Sequence, residues 1–168
     1  IRKLEKPVIG AVNGLAAGAG ASLILSCDVK ICSEKARFIN AFSRVGLVPD
    51  SAMTYYMPRF LGLSLALEHA WTAKPITAQQ AERFGWVNRV VPPEALAGEA
   101  ASLAHELSQC PPLSVALTKR AMNRSLESTL EEQMEYEAQL QEILGKTQDH
   151  QEGVAAFLEK RQPRFEGV

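Results

Sequence analysis

A run of small residues near the start of the chain constrains its fold more than any other sequence feature. Residues 13–22, NGLAAGAGAS, lie between the β-rich apolar run 7–12 and a second apolar run that begins at Leu23. Because bulky side chains are missing from this run, the backbone can turn sharply and approach other groups closely. A strand that enters a helix through such a turn leaves the first N–H groups of the helix free, facing an anion or an oxyanion.

One isolated carboxylate follows this turn. Asp50 comes directly after the apolar segment 45–49, VGLVP. An oxyanion site with one carboxylate predicts an enzyme that stabilises negative charge on oxygen while the carboxylate moves a proton. The alternatives are that Asp50 caps the next helix, and that Gly18 and Gly20 only allow a helix to pack tightly on a sheet.

Composition narrows the class of protein. With 168 residues, 46% of them hydrophobic, the chain can build one domain with a real core. Its 18 basic and 19 acidic residues give a net charge of −1, which disfavours nucleic acid or an anionic membrane as partner. The chain shows no signal peptide and no apolar stretch of about 18 residues, so we expect a soluble cytoplasmic protein. The three cysteines are odd in number and lack C-x-x-C spacing, so Cys27, Cys32 and Cys110 are predicted to be buried thiols, and the three scattered histidines predict no metal site.

The periodicity of apolar residues changes along the chain. Up to residue 93 it mixes strands at about 7–12, 29–32, 37–39 and 87–91 with helices at about 19–27, 51–61, 63–73 and 77–85. From residue 94 it is almost purely helical, with one helix that ends before Cys110 and others at about 114–125, 129–146 and from 149 onward. The segments TAQQ (77–80) and TLEE (129–132) are capping-box signatures that mark two helix starts. We therefore predict an α/β region over residues 1–93 and a helical region over residues 94–168.

Six motifs, in order, resemble landmarks of the crotonase, or enoyl-CoA hydratase/isomerase, superfamily. They are KPVIGAVNG (6–14), SCD (26–28), GLVP (46–49), PRFLG (58–62), AERFGWV (81–87) and AFLEKR (156–161). The resemblance covers nearly the whole chain but only about the C-terminal two-thirds of a usual family member, without the N-terminal strands and the loop that donates a second oxyanion N–H. It implies an α/β fold with a crotonase-type β/α spiral core, truncated at its N-terminus, and a C-terminal helical region that forms a homotrimer or homohexamer.

The resemblance also implies roles for individual residues. The main-chain N–H of Ala19, framed by Gly18 and Gly20, matches the family's donor to a thioester carbonyl oxygen that becomes an enolate. Phe157 and Lys160 match positions that contact the CoA of an adjoining subunit; the alternative is an interface Phe beside a surface Lys. Coenzyme A enters as part of the substrate, and the resemblance implies no other cofactor.

Two further positions separate the activities within the superfamily. Hydratases of the family carry glutamates at the positions of Ser22 and Phe42, and neither residue here can act as a base for water. The carboxylate of Asp50, in the segment VPDS, resembles that of the 3-to-2 enoyl-CoA isomerases and of the ring-1,2-epoxyphenylacetyl-CoA isomerases of phenylacetate degradation. The sequence thus predicts an acyl-CoA isomerase with Asp50 as acid and base. The alternatives are a hydratase-like enzyme and a noncatalytic fragment that binds acyl-CoA or supports oligomerisation.

Overall fold

The computed structural model describes all 168 residues, which form two compact units. The α/β unit comprises Ile1 and Val8–Ser102, and the helical unit comprises Arg2–Pro7 and Leu103–Val168. The boundary between the two units lies between Ser102 and Leu103, whereas the change in apolar periodicity predicted a boundary near residue 94.

Six strands and four complete helices build the α/β unit. In chain order they are β1 (Ile9–Val12), β2 (Leu15–Ala17), α1 (Ala19–Ser26), β3 (Val29–Ser33), β4 (Arg37–Ile39), α2 (Met53–Leu61), α3 (Leu63–Thr72), β5 (Ile76–Thr77), α4 (Ala78–Arg83) and β6 (Arg89–Val91). Short 3₁₀ turns lie at Phe42–Val45 and Pro93–Ala95. Helix α5 (Leu96–Ser108) crosses the division, and α6 (Pro112–Ser125), α7 (Leu130–Leu144) and α8 (Gln148–Glu159) belong to the helical unit.

The strands form two small sheets. One is fully parallel, with the order β1-β3-β6, and Ile31 of β3 lies opposite Ala11 on one side and Arg89 on the other. The other has the order β2-β4-β5, with β2 parallel and β5 antiparallel to β4. The strands predicted around residues 7–12, 29–32, 37–39 and 87–91 are confirmed. The sequence did not reveal β2 and β5, because Ala and Gly around β2 have weak strand preference and β5 has two residues.

A single apolar core holds the α/β unit together. Helix α1 contributes Ala21 and Leu25 to it, and the rings of Phe38 and Trp86 pack with their centroids 5.4 Å apart. Burying the larger side chains of this core stabilises the unit by about 1.5–3 kcal/mol each. Its fully buried large side chains also include Ile31, Met53, Met57, Ile76 and Val87.

Helix ends follow local signals in most places. Thr77 and Thr129 form capping boxes with Gln80 and Glu132, as the sequence predicted for both helices. The last helix begins one residue before its predicted start, because the hydroxyl of Thr147 accepts a hydrogen bond from the N–H of His150. Gly145 ends α7, so the predicted helix end near residue 146 is confirmed.

In the helical unit, a buried carboxylate anchors the last residues of the chain. Asp149 is buried in the first turn of α8 and accepts hydrogen bonds from the N–H groups of Glu166 (2.7 Å) and Gly167 (3.0 Å). Charge-assisted bonds of this kind contribute about 1.5–3 kcal/mol each. None of the helices in this structure combines the length and apolar character that a membrane span requires.

The cysteines carry no disulfide. Cys27 and Cys32 are buried as expected, whereas Cys110 is only half-buried. Burial, with a smaller contribution from the nearby charge of Glu82, raises the pKa of the Cys32 thiol to about 11. This thiol therefore stays protonated at neutral pH and acts as a core side chain.

Candidate active site

Gly18 connects β2 to α1 in a conformation that favours glycine. Its φ of 52° and ψ of −123° lie in a region that residues with a Cβ rarely occupy. Its N–H donates to the carbonyl of Ile39 at 2.9 Å, which continues the pairing of β2 with β4 up to the turn. The turn is therefore fixed by the sheet on one side and by the start of α1 on the other.

The first turn of α1 presents free backbone donors. Ala19, Gly20 and Ala21 are its first three residues, and their N–H groups have no acceptor within the helix. Ala19 and Gly20 are exposed, and the positive end of the helix dipole lies at the same place. This geometry can hold a developing negative charge on oxygen.

Close packing does not explain the two glycines. A Cβ added to Gly20 would meet nothing within 4 Å, and one added to Gly18 would meet the Phe42 ring at an ordinary 3.8 Å. Gly18 is required by its backbone angles, whereas Gly20 leaves open space above the start of the helix. The alternative that both glycines serve tight packing of helix on sheet is therefore wrong within this chain.

Asp50 lies beside α1 although 28 residues separate it from Ser22 in the sequence. The Ser22 hydroxyl donates to the main-chain carbonyl of Asp50 at 3.1 Å, and Ser22 is fully buried three residues after Ala19. The same carbonyl also accepts the N–H of Met53 at 3.0 Å. The structure thus places Asp50 next to the first turn of α1, with its own side chain exposed.

Asp50 does not cap α2. The residue at the N-cap is Ala52, which offers no side-chain cap, and the helix itself begins at Met53. Ser51 and Ala52 both adopt left-handed conformations, with φ of 53° and 67°. The left-handed conformation costs a non-glycine residue about 1–2 kcal/mol. The turn after Asp50 therefore persists only because contacts around it hold it in place. The capping alternative for Asp50 is therefore wrong.

The two positions that carry glutamates in the family's hydratases lie at the same place. Ser22 donates to Asp50, and the edge of the Phe42 ring lies beside Gly18. Ser22 thus contacts Asp50, whereas Phe42 lies beside the turn at Gly18, and neither side chain carries a carboxylate.

The apolar residues near Asp50 in the sequence leave its side chain exposed. Val45, Leu47 and Val48, which precede it, have 62–74% of their surface exposed. Met53 and Met57 point instead into the core. The ring of Tyr55 packs edge-on against that of Tyr56 at 5.2 Å and lies beneath the Arg59 guanidinium. The segment before Asp50 therefore offers an open apolar surface on which an acyl chain could lie.

Phe157 and Lys160 belong to the helical unit. Phe157 lies near the end of α8 with 82% of its surface exposed. Lys160 ends the helix in a left-handed conformation, φ 55°, and its N–H donates to the carbonyls of Ala156 and Phe157. Both side chains are on the surface of that unit and free to meet a ligand or another subunit.

Sequence reasoning missed one feature of the site. It recognised Ser22 only as a replacement for glutamate, because the hydrogen bond to Asp50 depends on how α1 and α2 pack. Elsewhere in the α/β unit it also missed Lys30 on β3, which is 4% exposed, donates to the carbonyl of Cys27 at 3.3 Å and lies over the Phe60 ring. Burial lowers the pKa of Lys30, and no sequence signal distinguishes this lysine from a surface lysine.

Comparison with known proteins gives the family. Residues 1–168 match the family described as enoyl-CoA hydratase/isomerase. The chain is 42% identical over 167 residues to the 1,2-epoxyphenylacetyl-CoA isomerase of Escherichia coli (strain K12), covering 99% of this chain and 64% of that protein. It is 38% identical over 167 residues to the 2,3-dehydroadipyl-CoA hydratase of the same organism, covering 99% of this chain and 66% of that protein.

Solved structures of enoyl-CoA hydratases share the fold of this chain, in agreement with the sequence relatives. An enoyl-CoA hydratase from Bacillus anthracis superposes with a TM-score of 0.96 at 34% identity, covering the whole of this chain and 65% of that one. An enoyl-CoA hydratase from Geobacillus kaustophilus HTA426 superposes with a TM-score of 0.95 at 40% identity, over 99% of this chain and 65% of that one. The chain therefore spans about two-thirds of the length of its relatives and has the crotonase fold over that length. It belongs to the enoyl-CoA hydratase/isomerase family, also called the crotonase superfamily.

Proposed function

We propose that the protein is an acyl-CoA isomerase that moves a double bond next to a CoA thioester. The observation that supports the proposal is the hydrogen bond from Ser22 to the Asp50 carbonyl, which links the carboxylate-bearing residue to the helix whose first N–H groups are free. An isomerase needs one group that both takes and returns a proton, and Asp50 supplies it. The two glutamates that the resemblance implies for hydratases of this family are replaced here by Ser22 and Phe42.

The proposed reaction needs no other reactant. The Asp50 carboxylate removes a proton from carbon 2 of a 3-enoyl-CoA, and the electron pair moves onto the thioester carbonyl oxygen. The N–H of Ala19 donates to that oxygen, and one such donor is worth about 2.7–4 kcal/mol in the transition state. Asp50 then returns the proton to carbon 4, which leaves the double bond between carbons 2 and 3 and regenerates the carboxylate.

Two substrate classes fit this chemistry. One is a 3-enoyl-CoA, and the other is 2-(1,2-epoxy-1,2-dihydrophenyl)acetyl-CoA once the carbon–carbon bond shared by its epoxide and its six-membered ring has opened to the isomeric oxepin, which has a double bond between carbons 3 and 4. The second is supported by the name of the Escherichia coli relative at 42% identity. It is also supported by the segment VPDS around Asp50 and by the exposed apolar residues before it, which suit a ring or an alkyl chain. Phe157 and Lys160 are proposed to contact the CoA portion, since an ammonium group suits a phosphate and an aromatic face suits a purine ring.

A hydratase is the second candidate. The 2,3-dehydroadipyl-CoA hydratase of Escherichia coli is 38% identical to this chain, and a probable enoyl-CoA hydratase of Rhodobacter capsulatus is 42% identical. Such an activity would have to activate water with Asp50, because Ser22 and Phe42 carry no base.

The deciding experiment compares the full-length wild type with Asp50→Asn on trans-3-hexenoyl-CoA, followed by the ultraviolet absorbance of the conjugated product. We expect turnover in the wild type and a loss of about 10²- to 10⁴-fold in the variant. Calorimetry with hexyl-CoA, a thioether that cannot react, should give the same Kd for both proteins.

Other outcomes of this experiment identify the alternatives. Hydration of crotonyl-CoA without any isomerisation would replace the proposal by the hydratase. Binding of hexyl-CoA without turnover of any thioester would favour a noncatalytic acyl-CoA-binding protein. Full isomerase activity in Asp50→Asn would remove Asp50 from the mechanism.

We also propose that the protein is cytoplasmic and forms a homotrimer or homohexamer. The oligomer is supported by the large apolar side chains that the helical unit exposes, including Met122, Met134, Phe157 and Leu158. Sedimentation of the full-length protein tests it, and a monomer at micromolar concentration would contradict it.

A further inference from the structure

We propose that Ser22 is a positioning residue, whose buried hydroxyl sets the place of the Asp50 carboxylate by holding the main-chain carbonyl of the same residue. The inference rests on the proposed isomerase function, because it concerns the residue that moves the proton. It assigns a role to a side chain that would otherwise count only as the loss of a glutamate.

Two main-chain carbonyl oxygens, those of Asp50 and Gly18, lie within reach of the Ser22 hydroxyl. Its oxygen lies 3.1 Å from the Asp50 carbonyl oxygen and 3.3 Å from that of Gly18. The Gly18 carbonyl already accepts the N–H of Ser22 at 3.1 Å, as in a regular helix. A hydroxyl has one proton, and the shorter contact to Asp50 is the one that links two separate segments.

The Ser22 side chain is buried. Ser22 has no exposed surface, so water does not compete for its hydroxyl. A hydrogen bond at such a site is stronger than one in solvent, and a buried donor that loses its acceptor destabilises the fold. The fold therefore retains this bond while the Asp50 side chain stays exposed.

The turn that follows Asp50 is strained. Ser51 and Ala52 turn the chain through left-handed conformations before Met53 starts α2, and the N–H of Met53 donates to the same Asp50 carbonyl. A strained turn persists only where its surroundings hold it. The carbonyl of Asp50 is thus fixed from α1 by Ser22 and from α2 by Met53, which leaves the carboxylate little freedom except about its own side-chain bonds.

The test uses Ser22→Ala with Ser26→Ala as the matched control. Ser26 lies on the same helix and its hydroxyl also donates to a main-chain carbonyl, that of Ser22 at 3.1 Å, but it does not touch Asp50. In Ser22→Ala we expect kcat on trans-3-hexenoyl-CoA to fall about 10- to 100-fold, since small misplacements of a reacting group have effects of this size. KM should change less than about twofold, Ser26→Ala should match the wild type, and Ser22→Thr, which keeps the hydroxyl, should retain most of kcat.

A second measurement does not depend on activity. Hydrogen exchange of the Met53 amide should become faster in Ser22→Ala and stay unchanged in Ser26→Ala, because only the first loses the bond at Asp50. An unchanged kcat and unchanged Met53 exchange in Ser22→Ala, with Asp50→Asn inactive, would overturn the positioning role while the proposed function stands. Full activity in Asp50→Asn would instead overturn the proposed function, and the positioning role with it.

Discussion

The two units of this chain bury their apolar side chains to very different degrees. The large side chains that are almost completely buried, Trp86, Phe38 and Ile31 among them, lie in the α/β unit. The helical unit buries its large apolar residues less completely, with Leu117 and Leu140 still 9% and 7% exposed, and it leaves others exposed along α6 to α8. The α/β unit therefore has the more tightly packed core, although it also exposes apolar residues such as Leu47 and Val48.

The difference suits the function that we propose for each unit. A proton transfer needs a carboxylate and an oxyanion donor that keep their positions, and the turns around Gly18 and Asp50 rest on the packed core. Association needs accessible apolar surface, which the helices supply. Because the two demands fall on different parts of the chain, substitutions in the two units should have separable effects.

The largest expected effect comes from the same substitution placed in each unit. Leu25→Ala removes a side chain that is 2% exposed in α1, whereas Leu158→Ala removes one that is 74% exposed in α8. Urea unfolding followed by circular dichroism should show a loss of about 2–5 kcal/mol for the first. At a concentration where the protein is monomeric, the second should change the free energy of unfolding by less than about 0.5 kcal/mol.

Two other results of these substitutions would be informative. Equal losses in both variants would show that the helical unit has a core of its own at Leu158. A loss in Leu158→Ala that appears only at high protein concentration would show that another copy of the chain covers α8.

A smaller effect is expected from backbone strain, which is concentrated in the α/β unit. Three of the four non-glycine residues with positive φ lie there, and the helical unit has only Lys160. Ala52→Gly should raise the free energy of unfolding by about 1 kcal/mol, because glycine adopts the left-handed conformation without a Cβ clash. Thermal unfolding measures the change.

Ala70→Gly is the matched control, since Ala70 lies inside α3 in a right-handed conformation. Glycine there should lower the free energy of unfolding by about 0.5–1 kcal/mol. The two substitutions thus have opposite expected signs, and the same sign for both would show that Ala52 is not strained.

The smallest effect concerns acid stability of the helical unit. Hydrogen bonds from the Arg161 side chain and from the Arg164 N–H lower the pKa of Glu152 from its ordinary 4.5 to about 2. The folded state therefore prefers the ionised carboxylate, and its stabilisation is present above pH 4.5 and is lost as the pH falls towards 2. Because the pair is exposed, solvent screening keeps the effect small.

Glu152→Gln provides the measurement. The variant should be less stable than the wild type at pH 6, and the difference should shrink as the pH falls from about 4.5 to about 2. Unfolding of both proteins in urea at several pH values gives this difference directly. A difference that stays constant over that range would show that Arg161 does not hold the charged form.

Local signals predicted most of the fold. The apolar periodicity indicated the main strands and helices, and Thr77 and Thr129 marked two helix starts because a threonine followed three residues later by Gln or Glu satisfies the free donors of a helix. The two short strands were missed, since Leu15–Ala17 and Ile76–Thr77 become strands only by pairing with β4. Pairing is a property of the neighbouring segment and not of the residues themselves.

For the site, the sequence by itself determined its chemical groups: a glycine turn that opens a helix, one aspartate, and no glutamate at positions 22 and 42. Only the tertiary structure decided that Asp50 is not a helix cap, that Ser51 and Ala52 take left-handed conformations, and that the Ser22 hydroxyl meets the Asp50 carbonyl. The reason is that conformational preferences act over a few residues, whereas a contact across 28 residues depends on how two helices pack against one core.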